Sequence, residues 1–134
     1  MTTSETPNLG VYLAHEEMRD SQIEMIVDGI DSLSERGFLL AAAPTGIGKT
    51  AASLASALHV ANNRGENGLK PKIVFMTGRQ SQHRIVVDTV RMINSRLPSG
   101  IPRVKLVDII GREGMCEVID KSTGKCDCEK GTTE

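Results

Sequence analysis

The chain has no tryptophan, one tyrosine and two phenylalanines in 134 residues, so its core must be built from Leu, Ile, Val, Met and Ala. A strong charge of either sign is missing too. With 16 Lys and Arg against 17 Asp and Glu, no global basic field draws in nucleic acid, and any such binding has to come from local clusters. The longest apolar run, near residues 37–44, is too short to cross a bilayer. The polar start, MTTSETPN, has neither a basic n-region nor an apolar h-region, so a cytoplasmic protein with no membrane partner is expected. Cysteine is scarce and lopsided. Cys116, Cys126 and Cys128 all fall in the last nineteen residues, an odd number that argues against a disulfide framework and leaves metal ligation or reduced thiols.

What remains is enough for one domain with a core. Residues 1–15 are polar and expected to be a disordered lead-in. Ile23, Ile26, Val27, Ile30 and Leu33 then recur at helical spacing, which predicts an amphipathic helix over 16–36 ended by Gly37. Phe38 to Ala43 form a continuous apolar run before Pro44 and read as a buried strand. Lys49 to Asn62, with five alanines, reads as a helix able to pack closely. KIVFMT at 72–77 reads as a second strand, Gln80 to Leu97 as a third helix, and RVKLVDII at 103–110 as a third strand. Helices alternating with strands predict an α/β fold with a mostly parallel sheet. Residues 111–134 differ, with four basic and six acidic residues, little aliphatic content and every cysteine. Such a segment lacks the apolar material to fold without a partner or a metal.

The chemistry concentrates in FLLAAAPTGIGKT, residues 38–50. APTGIGKT fits the phosphate-loop pattern [AG]-x-x-x-x-G-K-[ST] through Ala43, Gly48, Lys49 and Thr50. Gly46 and Gly48 allow the backbone to turn and approach phosphate. Lys49 is placed to reach the β and γ phosphates of ATP, and the Thr50 hydroxyl to ligate Mg²⁺. Pro44, Thr45, Gly46, Ile47, Gly48, Lys49 and Thr50 are the expected nucleotide contacts, with Lys49 and Thr50 as the catalytic pair. Hydrolysis also needs an acidic group on Mg²⁺, and no apolar strand ends in an Asp-Glu pair. Asp108 lies inside a run rather than at its end. His15, His59 and His83 stand alone and read as surface or boundary residues.

Three further segments accompany the loop: MRDSQ at 18–22, TGRQSQHRIVVDTVR at 77–91 and GREGMC at 111–116. In this order the set resembles superfamily 2 DNA helicases of the XPD type, which carry an iron-sulfur cluster in the first motor domain. The resemblance spans roughly residues 16–128 and only the front of a much longer helicase. It implies a partial RecA-like domain over 16–110 followed by the start of an iron-sulfur segment over 111–134. Arg19 and Gln22 look like the family's adenine-side element, and Gln22 offers an amide for the adenine edge. Thr77, Arg79 and Gln82 look like the element that contacts single-stranded DNA, in a stretch where Arg79, His83, Arg84, Arg91 and Arg96 face only Asp88. Arg84 with Asp88, and Asp88 with Arg91, are also spaced as ordinary helix-surface pairs.

Cys116 fits the first ligand of the family's [4Fe–4S] cluster, and Cys126 and Cys128 fit the middle pair by order. A fourth cysteine does not occur before Glu134, and a four-thiolate zinc site would need one as well. The resemblance therefore implies an N-terminal portion of a 5′ to 3′ helicase that binds ATP and single-stranded DNA. Turnover would await the remainder of the helicase or a complementing chain. Two other readings stay open: a stand-alone ATP- or DNA-binding module without turnover, and another P-loop NTPase such as a small nucleotide kinase.

Overall fold

A computed structural model of the chain describes residues 9–64 and 71–111, with Met115, Cys116, Asp120, Ser122 and Thr123. Among the described residues the regular elements are three helices: α1 (Asp20–Ser34), α2 (Lys49–Asn63) and α3 (Gln80–Arg96). They form where the apolar residues recur every three to four positions. α1 begins after Arg19, whose backbone is extended, and carries Asp20 in its first turn, where a negative charge suits the helix dipole. Its end is set by paired backbone bonds, Arg36 N–H to Leu33 O at 3.1 Å and Gly37 N–H to Ser32 O at 2.8 Å. The left-handed residue in that turn is Arg36, φ 61°, one position before the expected Gly37.

α2 is the central element and its small residues let it be. Ala52 and Ala55 pack with Ile26 of α1, joined by Leu9, Leu13, Met18, Met25 and Ile30. Ala51 and Leu54 turn the other way, into a cluster with Val86, Val90 and Ile93 of α3. Tyr12 and Ala14, inside the stretch read as a lead-in, are buried in that second cluster. α1 packs tightly on α2 at Gly29, where an added Cβ would sit 2.7 Å from Ser56 Oγ and 2.9 Å from Ser56 Cβ.

The contacts between α1 and α2 also give their relative direction. Gln22 meets Gly48, Gly29 meets Ser56, and the Arg64 guanidinium donates to the Leu33 and Ser34 carbonyls. Both numbers rise together, so the two helices run parallel. A parallel pair needs a connection that returns the full length of the first helix. At about 1.5 Å per helical residue, α1 is roughly 22 Å long, and residues 38–44 cover that distance only if extended, at about 3.3 Å each.

The α/β, RecA-like parallel sheet expected from the sequence is not what the structure contains. Among the described residues there is no β-strand, and the runs at 38–43, 72–77 and 103–110 exchange no backbone hydrogen bonds. Period-two alternation is nevertheless present: Phe38 and Leu40 are 96% and 100% exposed while Leu39 between them is 39%. Val74 and Met76 alternate with Ile73 and Phe75 in the same way. Apolar, β-branched composition favours an extended chain with two unlike faces, but it does not supply a partner at ladder spacing. Residues 71–77 and 102–109 instead flank an open cavity of about 1390 Å³ floored by Tyr12, Leu54, Val86 and Val90.

The third run has a different partner. Val104 N–H donates to Asn94 Oδ1 at 2.8 Å and Asn94 Nδ2 donates to Val104 O at 3.0 Å, so one side-chain amide on α3 serves both backbone groups as a neighbouring strand would.

Two consequences can be measured. Gly29→Ala is expected to lower stability: the gain of about 1 kcal/mol in helix propensity is outweighed by separating two packed helices, typically 1–3 kcal/mol. A urea titration should show the lower midpoint, with partial recovery in Gly29→Ala/Ser56→Gly. Burial pushes the Tyr12 phenol above its ordinary value. The stability tied to the neutral phenol is thus complete below about pH 10 and declines as pH rises beyond it, because the unfolded chain ionises first. Thermal melts from pH 8 to 11 should fall more steeply for wild type than for Tyr12→Phe.

Candidate nucleotide-binding site

The site is the turn between residue 43 and α2, and its shape follows from two glycines. Gly46 and Gly48 have φ of +86° and +85°, left-handed conformations that side chains with a Cβ rarely adopt. Gly48 is also the N-cap residue of α2, and a Cβ there would lie 2.7 Å from Gln22 Nε2. The backbone N–H groups of Gly46, Ile47 and Gly48 find no acceptor among the described residues. Donors left free in a left-handed turn before a helix form the concavity that suits phosphate oxygens.

Side chains hold the turn from both sides. Arg19 Nη1 donates to Gly46 O at 2.5 Å, and Gln22, buried in α1, places Nε2 3.5 Å from Gly48 O. Arg19 and Gln22, the two residues expected to form an adenine-side element, therefore stand against the loop across 26 or more positions of sequence. Lys49 Nζ donates to Ala43 O at 2.9 Å and Pro44 O at 2.7 Å. An ammonium has three protons, so one is left for an incoming anion while the carbonyls hold the other two. Pro44 and Thr45 are exposed, Ile47 and Thr50 half-buried, and the Thr50 hydroxyl has no protein partner among the described residues.

Thr77, Arg79 and Gln82 belong to a second location. Thr77 Oγ1 donates to Arg79 O at 3.3 Å in the turn that opens α3, and Arg79 N-caps that helix with an extended backbone. Thr77 and Arg79 line an open cavity of about 600 Å³ with Gly78, Gln80, His83, Ile109 and Gly111; Gln82 does not. Arg84 and Arg91 pair with Asp88 at 3.7 and 3.1 Å on the exposed side of the helix, contacts worth little in water.

His83 is not the isolated residue that its sequence context suggests. Its Nδ1 lies 2.6 Å from Asp108 Oδ1. Asp108, the carboxylate inside the third apolar run, is thereby held by an imidazole. The two are 25 positions apart on elements that sequence patterns do not pair, so no local signal could join them. His59 packs against Asn63 at 3.0 Å on its own helix. Cys116 is half-buried and in no disulfide, while Cys126 and Cys128 lie outside the described residues. The described residues hold no group of three or more His, Cys, Asp or Glu side chains suited to a metal ion, and no helix long and apolar enough to cross a membrane.

No known protein family, characterised protein or solved structure matches this chain.

The dual constraint at Gly48 can be tested directly. Gly48→Ala should lose stability twice over, through the strained left-handed backbone at about 1–2 kcal/mol and through displacement of the Gln22 amide. Gly46→Ala should lose only the first, since nothing lies within 4 Å of its Cβ position. Chemical denaturation of the two variants side by side measures the difference.

Proposed function

We propose that this chain is the ATP-binding and single-strand-contacting portion of an XPD-like DNA helicase, acting 5′ to 3′ with the remainder of the helicase or a complementing chain. The observation that carries the reading is the loop at 43–50: two left-handed glycines, unpaired backbone donors, and Lys49 and Thr50 at the start of α2. A turn of this kind binds triphosphate through main-chain donors, with the lysine as a mobile point charge and the threonine hydroxyl as a Mg²⁺ ligand. The proximity of Arg19 and Gln22 to that turn supports ATP in particular, because an amide beside the loop can pair with an adenine edge.

The single-strand contact is assigned to Thr77 and Arg79 in the cavity at the start of α3, with Gln82 on the adjacent exposed turn. An arginine there binds sugar-phosphate without reading sequence, and affinity falls as salt rises. Hydrolysis requires carboxylates on Mg²⁺ from beyond the loop, so the chain alone is expected to bind ATP without turning it over. A [4Fe–4S] cluster would be held by Cys116, Cys126 and Cys128 with a further thiolate, and it takes no part in the nucleotide chemistry proposed.

Binding of a fluorescent ATP analogue with Mg²⁺ tests the reading. Lys49→Ala should weaken it at least tenfold while circular dichroism stays unchanged. Equal affinity in wild type and variant would overturn the assignment.

A further inference from the structure

We infer that His83, oriented by Asp108, is a phosphate-binding residue of the single-strand site, a role that neither the loop pattern nor the spacing of the arginines assigns to it. The inference rests on the proposed single-strand contact at Thr77 and Arg79. The segment carrying Asp108 is tied to α3 at two points, Asn94 with Val104 and His83 with Asp108. Along α3 those points are eleven residues apart, about 16 Å; along an extended chain Val104 and Asp108 are four apart, about 13 Å. The two spans agree, so the segment runs antiparallel to α3 and the His83–Asp108 pair is one of its two registered ties.

The pair fixes the chemistry of the ring. A carboxylate only accepts, so Nδ1 carries the proton donated to Asp108 Oδ1, and Nε2 is left as the second nitrogen. His83 forms part of the wall of the cavity that also contains Thr77 and Arg79. Its side chain is 27% exposed, enough for a ligand to reach, and Asp108 is 39% exposed. Arg79 makes no ion pair or side-chain hydrogen bond among the described residues, unlike Arg84 and Arg91, which Asp88 holds. The cavity therefore brings together an unpaired guanidinium, a threonine hydroxyl and an imidazole with one nitrogen uncommitted. As an imidazolium the ring presents Nε2–H as a donor together with a positive charge, while Asp108 holds it oriented. With Arg79 and Thr77 in the same cavity wall, this is the make-up of a backbone phosphate subsite.

The test is binding of a fluorescein-labelled oligo-dT 20-mer to the 134-residue chain across a salt series, with wild type, His83→Gln, Asp108→Asn and Arg79→Ala. His83→Gln should weaken binding about three- to tenfold and lower the salt slope by about 0.7, the loss of one phosphate contact on a single strand. Asp108→Asn should weaken binding with the slope preserved, because the ring is still present but less well oriented. A merely structural pair would leave the salt slope of His83→Gln at the wild-type value. Wild-type affinity and salt slope in His83→Gln, beside weakened binding in Arg79→Ala, would overturn the role of His83 and leave the single-strand site standing. No binding by wild type would overturn both.

Discussion

Everything at the candidate site depends on how closely α1 can approach α2. The approach is possible because the facing positions are small: Gly29 on one helix, Ala52, Ala55 and Ser56 on the other. Larger side chains would push the axes apart, and the first casualty would be at the end of the helices, where Gln22 and Arg19 reach the loop. A packing constraint two turns away thus decides whether the loop has side-chain support. The Arg64 guanidinium on the Leu33 and Ser34 carbonyls closes the opposite end, so the pair is held at both ends and touches in the middle.

The three helices were readable within a few residues, because a 3.6-residue period is a local property. Ile26 with its neighbours, the alanines of α2, and Val86, Val90 and Ile93 all signal a face before any partner is known. The loop was equally plain, since glycine spacing and the Lys-Thr pair are contiguous. The expected sheet is absent among the described residues for a corresponding reason. Phe38 to Ala43, KIVFMT and RVKLVDII have the composition of buried strands, yet a strand is defined by what lies beside it. In this structure Val104 finds a side-chain amide of α3, and 38–44 serves as the return span between two parallel helices. The His83–Asp108 contact was invisible for the same reason as the sheet's absence: it is a relation between distant segments.

The two sites differ in how they are built. The loop is shaped by backbone conformation, and its side chains mostly hold other parts of the loop, as Lys49 does with Ala43 and Pro44. The cavity at the start of α3 is lined by two segments far apart in sequence, Thr77 to His83 and Ile109 to Gly111. A nucleotide would meet a formed turn that has to give up two lysine contacts. A single strand would meet a looser surface whose pairing partners lie along α3.

The parallel register has a consequence for which changes of length the chain can absorb. Gln22 and Gly29 are seven residues apart, almost two turns, so they share the face that meets α2. One residue inserted between them would rotate Gln22 by about 100° and carry it about 1.5 Å along the axis, off Gly48, while Gly29 stayed on Ser56. The spacing between these two positions is therefore as much a part of the proposed nucleotide site as the residues of the loop, although neither is a phosphate contact. Homologous chains should vary freely in the identity of exposed residues there, such as Glu24 and Asp28, and not in their number.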